Sequence, residues 1–225
     1  MQQMTSSKTL IVGTFRSGTN LLKFVLEQHF HTDVLFSEWF WKHGVPPTSV
    51  MYPTPISVPI VVVTKDPIAF NASAYNFWKT RRPELDCGRS ISEFVRRRFI
   101  VYDNTGGLIK PKYAFPCPTD YWNQYHFSWL NWAEVSERLF FVQLEKLRSD
   151  PNREVEALAS KLNLQRRDGG QIELPNTPVI PSQDGQRALL GQLAYDMREH
   201  LTDDDVAFID SKVYQDVAQQ LGYNV

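Results

Sequence analysis

The chain has 225 residues, 42% of them hydrophobic and 22% charged. A chain of this size and composition folds around its own core without a disulfide or metal staple, which excludes a disordered or collagen-like protein. Lys and Arg number 24 against 25 Asp and Glu, for a net charge of −1, so any bound anion must be held by local groups and nucleic-acid binding is not expected.

Cys87 and Cys117 are the two cysteines. Two are too few for the framework of a small secreted domain, and they read as reduced thiols. The apolar runs Leu10-Ile11-Val12 and Ile60 to Val63 are strand-sized, far short of a signal peptide or membrane span. The expectation is a soluble, cytoplasmic protein with no membrane partner.

Thr9 to Val12 is an apolar run that ends at Gly13, the pattern of a buried strand. Leu21, Leu22, Val25 and Leu26 follow at helical spacing, so the segment between is a strand-to-helix turn. Val34 to Phe36 predicts a second strand, and Pro59 to Thr64 a third, Val-rich one. Asp66-Pro67 then offers an N-cap acceptor and a proline at the first helical position, predicting a helix to about Trp78.

Residues 79–120 read as irregular, with a helix around Ile91 to Val101. Tyr121 to Val135 predicts a helix, Leu139 to Val142 a strand, and Asp150-Pro151 repeats the cap-and-proline signal. Val155, Leu158, Ala159 and Leu162 give that next helix an apolar stripe. Residues 165–187, with Gly169-Gly170 and several prolines, read as a long loop. Thr202 with Asp205 predicts a capping box opening a final helix through Val206, Ile209, Val213 and Leu221.

Strands alternating with helices predict an α/β fold of three layers, P-loop-like, with a central parallel sheet and helices on both faces. Residues 1–225 read as a single domain. In such sheets ligands sit beyond the carboxyl ends of the strands, which directs attention to Gly13–Asn20, Phe36–His43, Lys65-Asp66 and Leu144-Glu145.

Gly13-Thr14-Phe15-Arg16-Ser17-Gly18-Thr19-Asn20 has the Gly-x-x-x-x-Gly spacing of a phosphate loop between strand and helix. Successive backbone N–H groups and the helix N-terminus would cradle an anion there. Thr19-Asn20 stand where a nucleoside triphosphatase has Lys-Ser or Lys-Thr. The lysine for a γ-phosphate and the usual hydroxyl for Mg²⁺ are therefore missing, and Arg16 supplies the positive charge. A ligand-free strand–helix turn is the competing reading.

Lys65 ends the Val-rich strand, and Ser73 lies eight residues on, roughly two helical turns into the next helix. The pair would clasp a second phosphate. Otherwise Lys65 is a solvated lysine and Ser73 is bonded to its own helix.

These segments resemble the sulfotransferases that use 3′-phosphoadenosine-5′-phosphosulfate (PAPS). Phe15-Arg16-Ser17-Gly18-Thr19-Asn20 is similar to their 5′-phosphosulfate loop, and Val63-Thr64-Lys65-Asp66-Pro67 with Ser73 to their 3′-phosphate segment. Val142 to Leu147 followed by Asp150-Pro151 resembles the segment after the fourth core strand. Leu201-Thr202 through Leu221-Gly222-Tyr223 resembles the closing helix of bacterial members.

The sequence departs from the family at three places. Lys65 replaces the usual arginine, keeping charge without bidentate recognition. Leu144 stands where many members have a tyrosine near the adenine. The loop over the 3′-phosphate has only Gln183 to Arg187 as a counterpart, with Arg187 its candidate cation.

The resemblance implies transfer of a sulfonate from PAPS to a hydroxyl or amine of a small-molecule or glycan acceptor, leaving 3′,5′-phosphoadenosine (PAP), with no metal. Arg16, Ser17, Gly18, Thr19 and Asn20 would hold the 5′-phosphosulfate, and Lys65, Ser73 and Arg187 the 3′-phosphate. The nucleophile must lose a proton. His43 lies 22 residues before Lys65, a spacing similar to that of the catalytic histidine in cytosolic-type members, and is the candidate base. Glu38 is its rival. Lys42 and Arg16 are the candidate cations for the leaving oxygen.

Arg96-Arg97-Arg98 reads as a solvated helix face, and Trp122, Tyr125, Trp129 and Trp132 read as core. The alternatives are a P-loop kinase of small molecules and a non-catalytic nucleotide-binding module of the same fold. The acceptor's identity and the oligomeric state have no signature in the sequence.

Overall fold

The structure, a computed structural model, describes residues 7–36, 41–46, 57–81, 87–103, 110–167, 169–175, 179–181, 187–189 and 200–224. The chain divides into two compact units, each discontinuous in sequence. One comprises Met1–Lys65 with Ser128–Ala194, the other Asp66–Phe127 with Tyr195–Val225.

The first unit carries the sheet. Strands β1 (Ser7–Gly13), β2 (Thr32–Leu35), β3 (Ile60–Thr64) and β6 (Leu139–Gln143) lie in the order β2-β1-β3-β6 and are all parallel. Every residue of β3 is buried, as its Val-rich run predicts for a central parallel strand. Helix α1 (Thr19–His29) follows β1; α5 (Leu144–Ser149) and α6 (Pro151–Lys161) follow β6. Leu22, Val25 and Leu26 of α1 meet Val155, Leu158 and Ala159 of α6 in one cluster with Ile11, Val61 and Val63. Each Val, Leu or Ile side chain there contributes roughly 1.5–3 kcal/mol by leaving water. Asp150 caps α6 through the Arg153 amide at 3.2 Å, as predicted.

Residues 165–187 are not all loop. The side chain of Asn152 receives the Ile172 amide at 2.8 Å and donates to its carbonyl at 3.3 Å, so it pairs with that backbone as a strand would. Strands β7 (Val179–Pro181) and β8 (Arg187–Leu189) form a short antiparallel pair. No periodic pattern announces strands of three residues.

The second unit has an aromatic core. Helix α2 (Pro67–Arg81) runs past Trp78, and Asp66 caps it by accepting the Ala69 amide at 2.8 Å. The helix predicted over Ile91 to Val101 ends earlier: α3 is Ile91–Arg96, and Phe99–Asp103 is strand β4, paired antiparallel with β5 (Lys110–Phe115). Phe99 packs on Trp78 at 5.2 Å and on Tyr121 at 5.5 Å between ring centroids, so its place in the core outweighs the apolar continuity that suggested helix. Arg96 is paired with Asp204 and Asp205, which makes it a staple between α3 and α7 rather than a merely solvated charge.

Helix α4 (Pro118–Ala133) begins in this unit and ends in the first. Trp122, Tyr125, Trp129 and Trp132 on it are all buried, as expected of core residues. The predicted capping box of Thr202 and Asp205 opens α7 (Asp203–Lys212), but the helix stops there and α8 (Gln215–Gln220) follows after a break. Buried Asn123 holds that break, donating to the Lys212 carbonyl at 2.7 Å and accepting the Tyr214 amide at 3.0 Å. Asn123→Ala leaves both groups without this partner and is expected to cost about 2–3 kcal/mol, read as an earlier urea midpoint. An unchanged midpoint would show that the break holds itself.

Candidate functional site

Strand β1 ends at Gly13, where the chain has no room for a side chain. A Cβ there would lie 2.7 Å from the Val63 carbonyl oxygen and 2.9 Å from the Thr19 methyl. The loop then folds back on itself, with the Ser17 hydroxyl donating to the Thr14 carbonyl at 2.8 Å. Arg16 and Gly18 both adopt the left-handed region, at φ 63° and 90°. For arginine that conformation costs on the order of 1–2 kcal/mol. Such strain is stored where function asks for it, and left-handed residues in a turn gather N–H groups into an anion-binding concavity.

Helix α1 opens from this loop without a side-chain cap and without an acidic residue in its first turn. Helices α2, α6 and α7 differ, capped by Asp66, Asp150 and Thr202. The positive end of α1 therefore faces the loop unneutralised by a capping side chain. Thr14 Oγ1 is buried with no hydrogen-bond partner among the described residues. Leu144 packs beneath the loop, its Cδ1 2.5 Å from where a Cβ on Gly18 would sit. That contact accounts for an aliphatic residue at this position.

The turn after β2 docks against the loop. The Gly13 amide donates to the Lys42 carbonyl at 3.0 Å, and His43 Nδ1 donates to the Gly13 carbonyl at 2.7 Å. A carbonyl only accepts, so the neutral ring carries its proton on Nδ1 and its lone pair on Nε2. The His43 ring stacks on Phe15, with centroids 4.5 Å apart and planes 26° apart. Trp41 stands edge-on to both rings at 5.6 Å.

Lys42 donates to Asn20 Oδ1 at 2.9 Å, with its ammonium 3.7 Å from the centroid of the Phe36 ring. Burial, with help from Lys23, lowers its pKa from 10.5 to about 8. Burial first, then the charges of Lys42 and Arg16, press the His43 pKa down to about 3, against the opposing pull of hydrogen bonds to the Gly13 and Thr14 backbone. The imidazole is neutral at pH 7 and, with nothing bound beside it, a weaker base than a free histidine.

Lys65 follows β3 and is buried at 5% exposure. It closes the first unit, whereas Ser73 belongs to the second. The Ser73 hydroxyl donates to Ala69 at 2.9 Å within its own helix, so it must turn to donate to any ligand. Arg187 lies on β8, its side chain outside the described residues. Glu38 is also outside them.

No family model matches the sequence, and no curated protein matches it. Among solved structures, mouse sulfotransferase SULT7A1 complexed with PAP matches with a TM-score of 0.56 and 11% identity, over 96% of this chain and 85% of that one. The fold is that of a sulfotransferase.

Within this sulfotransferase fold, the first unit brings together Arg16, Ser17, Gly18, Thr19, Asn20, Lys42 and His43, all on or against one loop. Sequence reasoning named Phe15 only as part of the loop and gave Trp41 no role; both rings pack on His43. The signal available was an aromatic residue inside a glycine loop and another two positions before the histidine. Among the described residues no helix is long and apolar enough to cross a membrane, and no three His, Cys, Asp or Glu gather as metal ligands.

Proposed function

We propose that the chain is a PAPS-dependent sulfotransferase, acting as one domain over residues 1–225 in the cytoplasm, on a hydroxyl or amine of a small-molecule or glycan acceptor. One observation carries this reading: a neutral histidine is hydrogen-bonded to the first residue of an uncapped anion loop. The two needs of sulfonate transfer, a proton acceptor and a cradle for the departing phosphate, thus share one frame.

The buried Thr14 hydroxyl and an α1 terminus without a side-chain cap suit a phosphate group. Arg16, Ser17, Gly18, Thr19 and Asn20 hold the phosphosulfate end. Lys65, with Ser73 and Arg187 as the resemblance implies, holds the 3′-phosphate. His43 takes the acceptor's proton on Nε2 as the new O–S or N–S bond forms and the S–O bond to phosphate breaks. Arg16, Lys42 and the loop N–H groups meet the charge left on that phosphate oxygen.

Titration calorimetry tests the binding step. PAP is expected to bind without added metal, and Mg²⁺-ATP to bind far more weakly. The reverse order would favour the kinase, and PAP binding without transfer of labelled sulfonate to any acceptor would favour the non-catalytic module.

The pH dependence follows from Lys42. Its ammonium is charged below about pH 8 and neutral above, and an anion prefers the charged form. Affinity for PAP is therefore expected to fall as pH rises from 8 to 9.5, up to about tenfold per unit. Lys42→Arg should move that fall beyond the range. A pH-independent wild-type affinity would remove Lys42 from the anion's surroundings.

A further inference from the structure

We infer that Lys23 is a positioning residue for Lys42: its charge, fixed beside the ring that carries the Lys42 ammonium, governs how far Lys42 stays charged as pH rises, and so how long the site holds an anion. The part about the anion rests on the transferase reading. The part about Lys42 stands on the packing of α1 against β2.

Lys23 lies three residues after Asn20 on α1. Its ammonium donates to Glu27 at 2.5 Å and to the Val34 carbonyl at 2.7 Å, and Glu27 accepts the Val34 amide at 3.0 Å. A lysine four residues before a glutamate is the weaker order for an isolated helix, so docking on β2 is what gives the pair its place. Lys23 cannot swing into solvent without breaking two bonds. Phe36, just beyond β2, then receives two ammonium groups, with Lys42 3.7 Å and Lys23 5.4 Å from its ring centroid.

Like charges turn apart when they are free, and these two are kept together. A fixed cation disfavours a second one nearby, and salt screens little where side chains are partly buried, as Lys23 and Glu27 are. After burial, Lys23 is what holds the Lys42 pKa down at about 8. The charged and titratable groups gathered there are Lys23 and Glu27 from α1, Arg16 from the loop and His43 beside Lys42 in its own turn. The effect of Lys23 acts through space and adds to the other contacts of Lys42, however many those are.

Carbon-13 NMR of labelled lysine follows Lys42 without ligand from about pH 6 to 11, with Lys42→Arg assigning its signal. Wild type is expected to titrate near pH 8. Lys23→Gln, which keeps a donor for Val34 but no charge, and Lys23→Met are each expected to raise the midpoint by about half to one pH unit. Lys23→Arg restores the wild-type midpoint. Thermal melts establish that each variant is folded.

In the binding arm, the pH at which PAP affinity falls is expected to move upward in Lys23→Gln by the same amount, with affinity at pH 7 within about threefold of wild type. An unmoved Lys42 midpoint in both uncharged variants would overturn the inference. So would an equal rise in Lys23→Arg, which would trace the effect to packing. A moved midpoint with an unmoved fall in affinity would overturn the part about the anion. Absence of PAP binding at any pH would overturn the function and leave the titration to decide the role of Lys23.

Discussion

Gly18→Ala is expected to abolish tight PAP binding, lowering affinity by at least about a hundredfold, because strain and collision act together. The residue sits at φ 90°, where any side chain is strained by roughly 1–3 kcal/mol. The new methyl also meets Leu144 Cδ1 at 2.5 Å. Leu144 is buried at 2% exposure beneath the loop and has little room to retreat. The loop must therefore open, and with it the geometry of its N–H groups and the start of α1.

Arg16→Gly is the complementary substitution. Glycine accepts the φ of 63° without the strain arginine bears there, so thermal stability should hold or rise while PAP affinity falls with the lost guanidinium. Calorimetry and thermal melts on both variants separate loop shape from loop charge. Wild-type PAP affinity in Gly18→Ala would show that the loop is not the anion site.

The second large effect is on chemistry. His43→Gln is expected to reduce sulfonate transfer by about 10²–10⁴-fold, the range a positioned base supplies, with PAP affinity within about twofold. Glutamine keeps a polar side chain near the Gly13 carbonyl but offers no basic nitrogen. Because the imidazole pKa lies near 3, His43 stays deprotonated down to about pH 4, and its carbon-bound proton signals should not titrate near pH 6.5. Unimpaired transfer by His43→Gln would move the proton elsewhere, and Glu38 would be the next residue to replace.

The same depression makes His43 a stability element with a definite sign. Its folded pKa lies below its unfolded value of about 6.5, so the unfolded chain binds the extra proton first. The stability is complete above pH 6.5 and drains away as pH falls toward 3.

Local chemistry was legible in the residues themselves. The capping side chains of Asp66, Asp150 and Thr202 act on amides three residues away, so neighbours in sequence suffice to reveal them. The Val-rich run of β3 needs burial on both faces and declares itself by composition. Elements whose partners are distant did not show. Phe99 is a strand residue because of Phe115, Trp78 and Tyr121, and α7 breaks from α8 beside Asn123, some ninety positions earlier in the chain.

The site divides along the same line. The order of residues from Gly13 to Asn20 already encodes an anion loop, since the glycines, the arginine and the helix start lie within one turn of chain. The residue that accompanies the loop, and its protonation state, were decided only in three dimensions. Parallel pairing of β2 with β1 from Ser7–Thr32 to Leu10–Leu35 sends the chain after β2 back past the end of β1. His43 there meets Gly13 across thirty positions, and Lys42 meets Asn20 across twenty-two. A histidine's neutrality depends on what surrounds it, and those surroundings come into being only when the sheet closes.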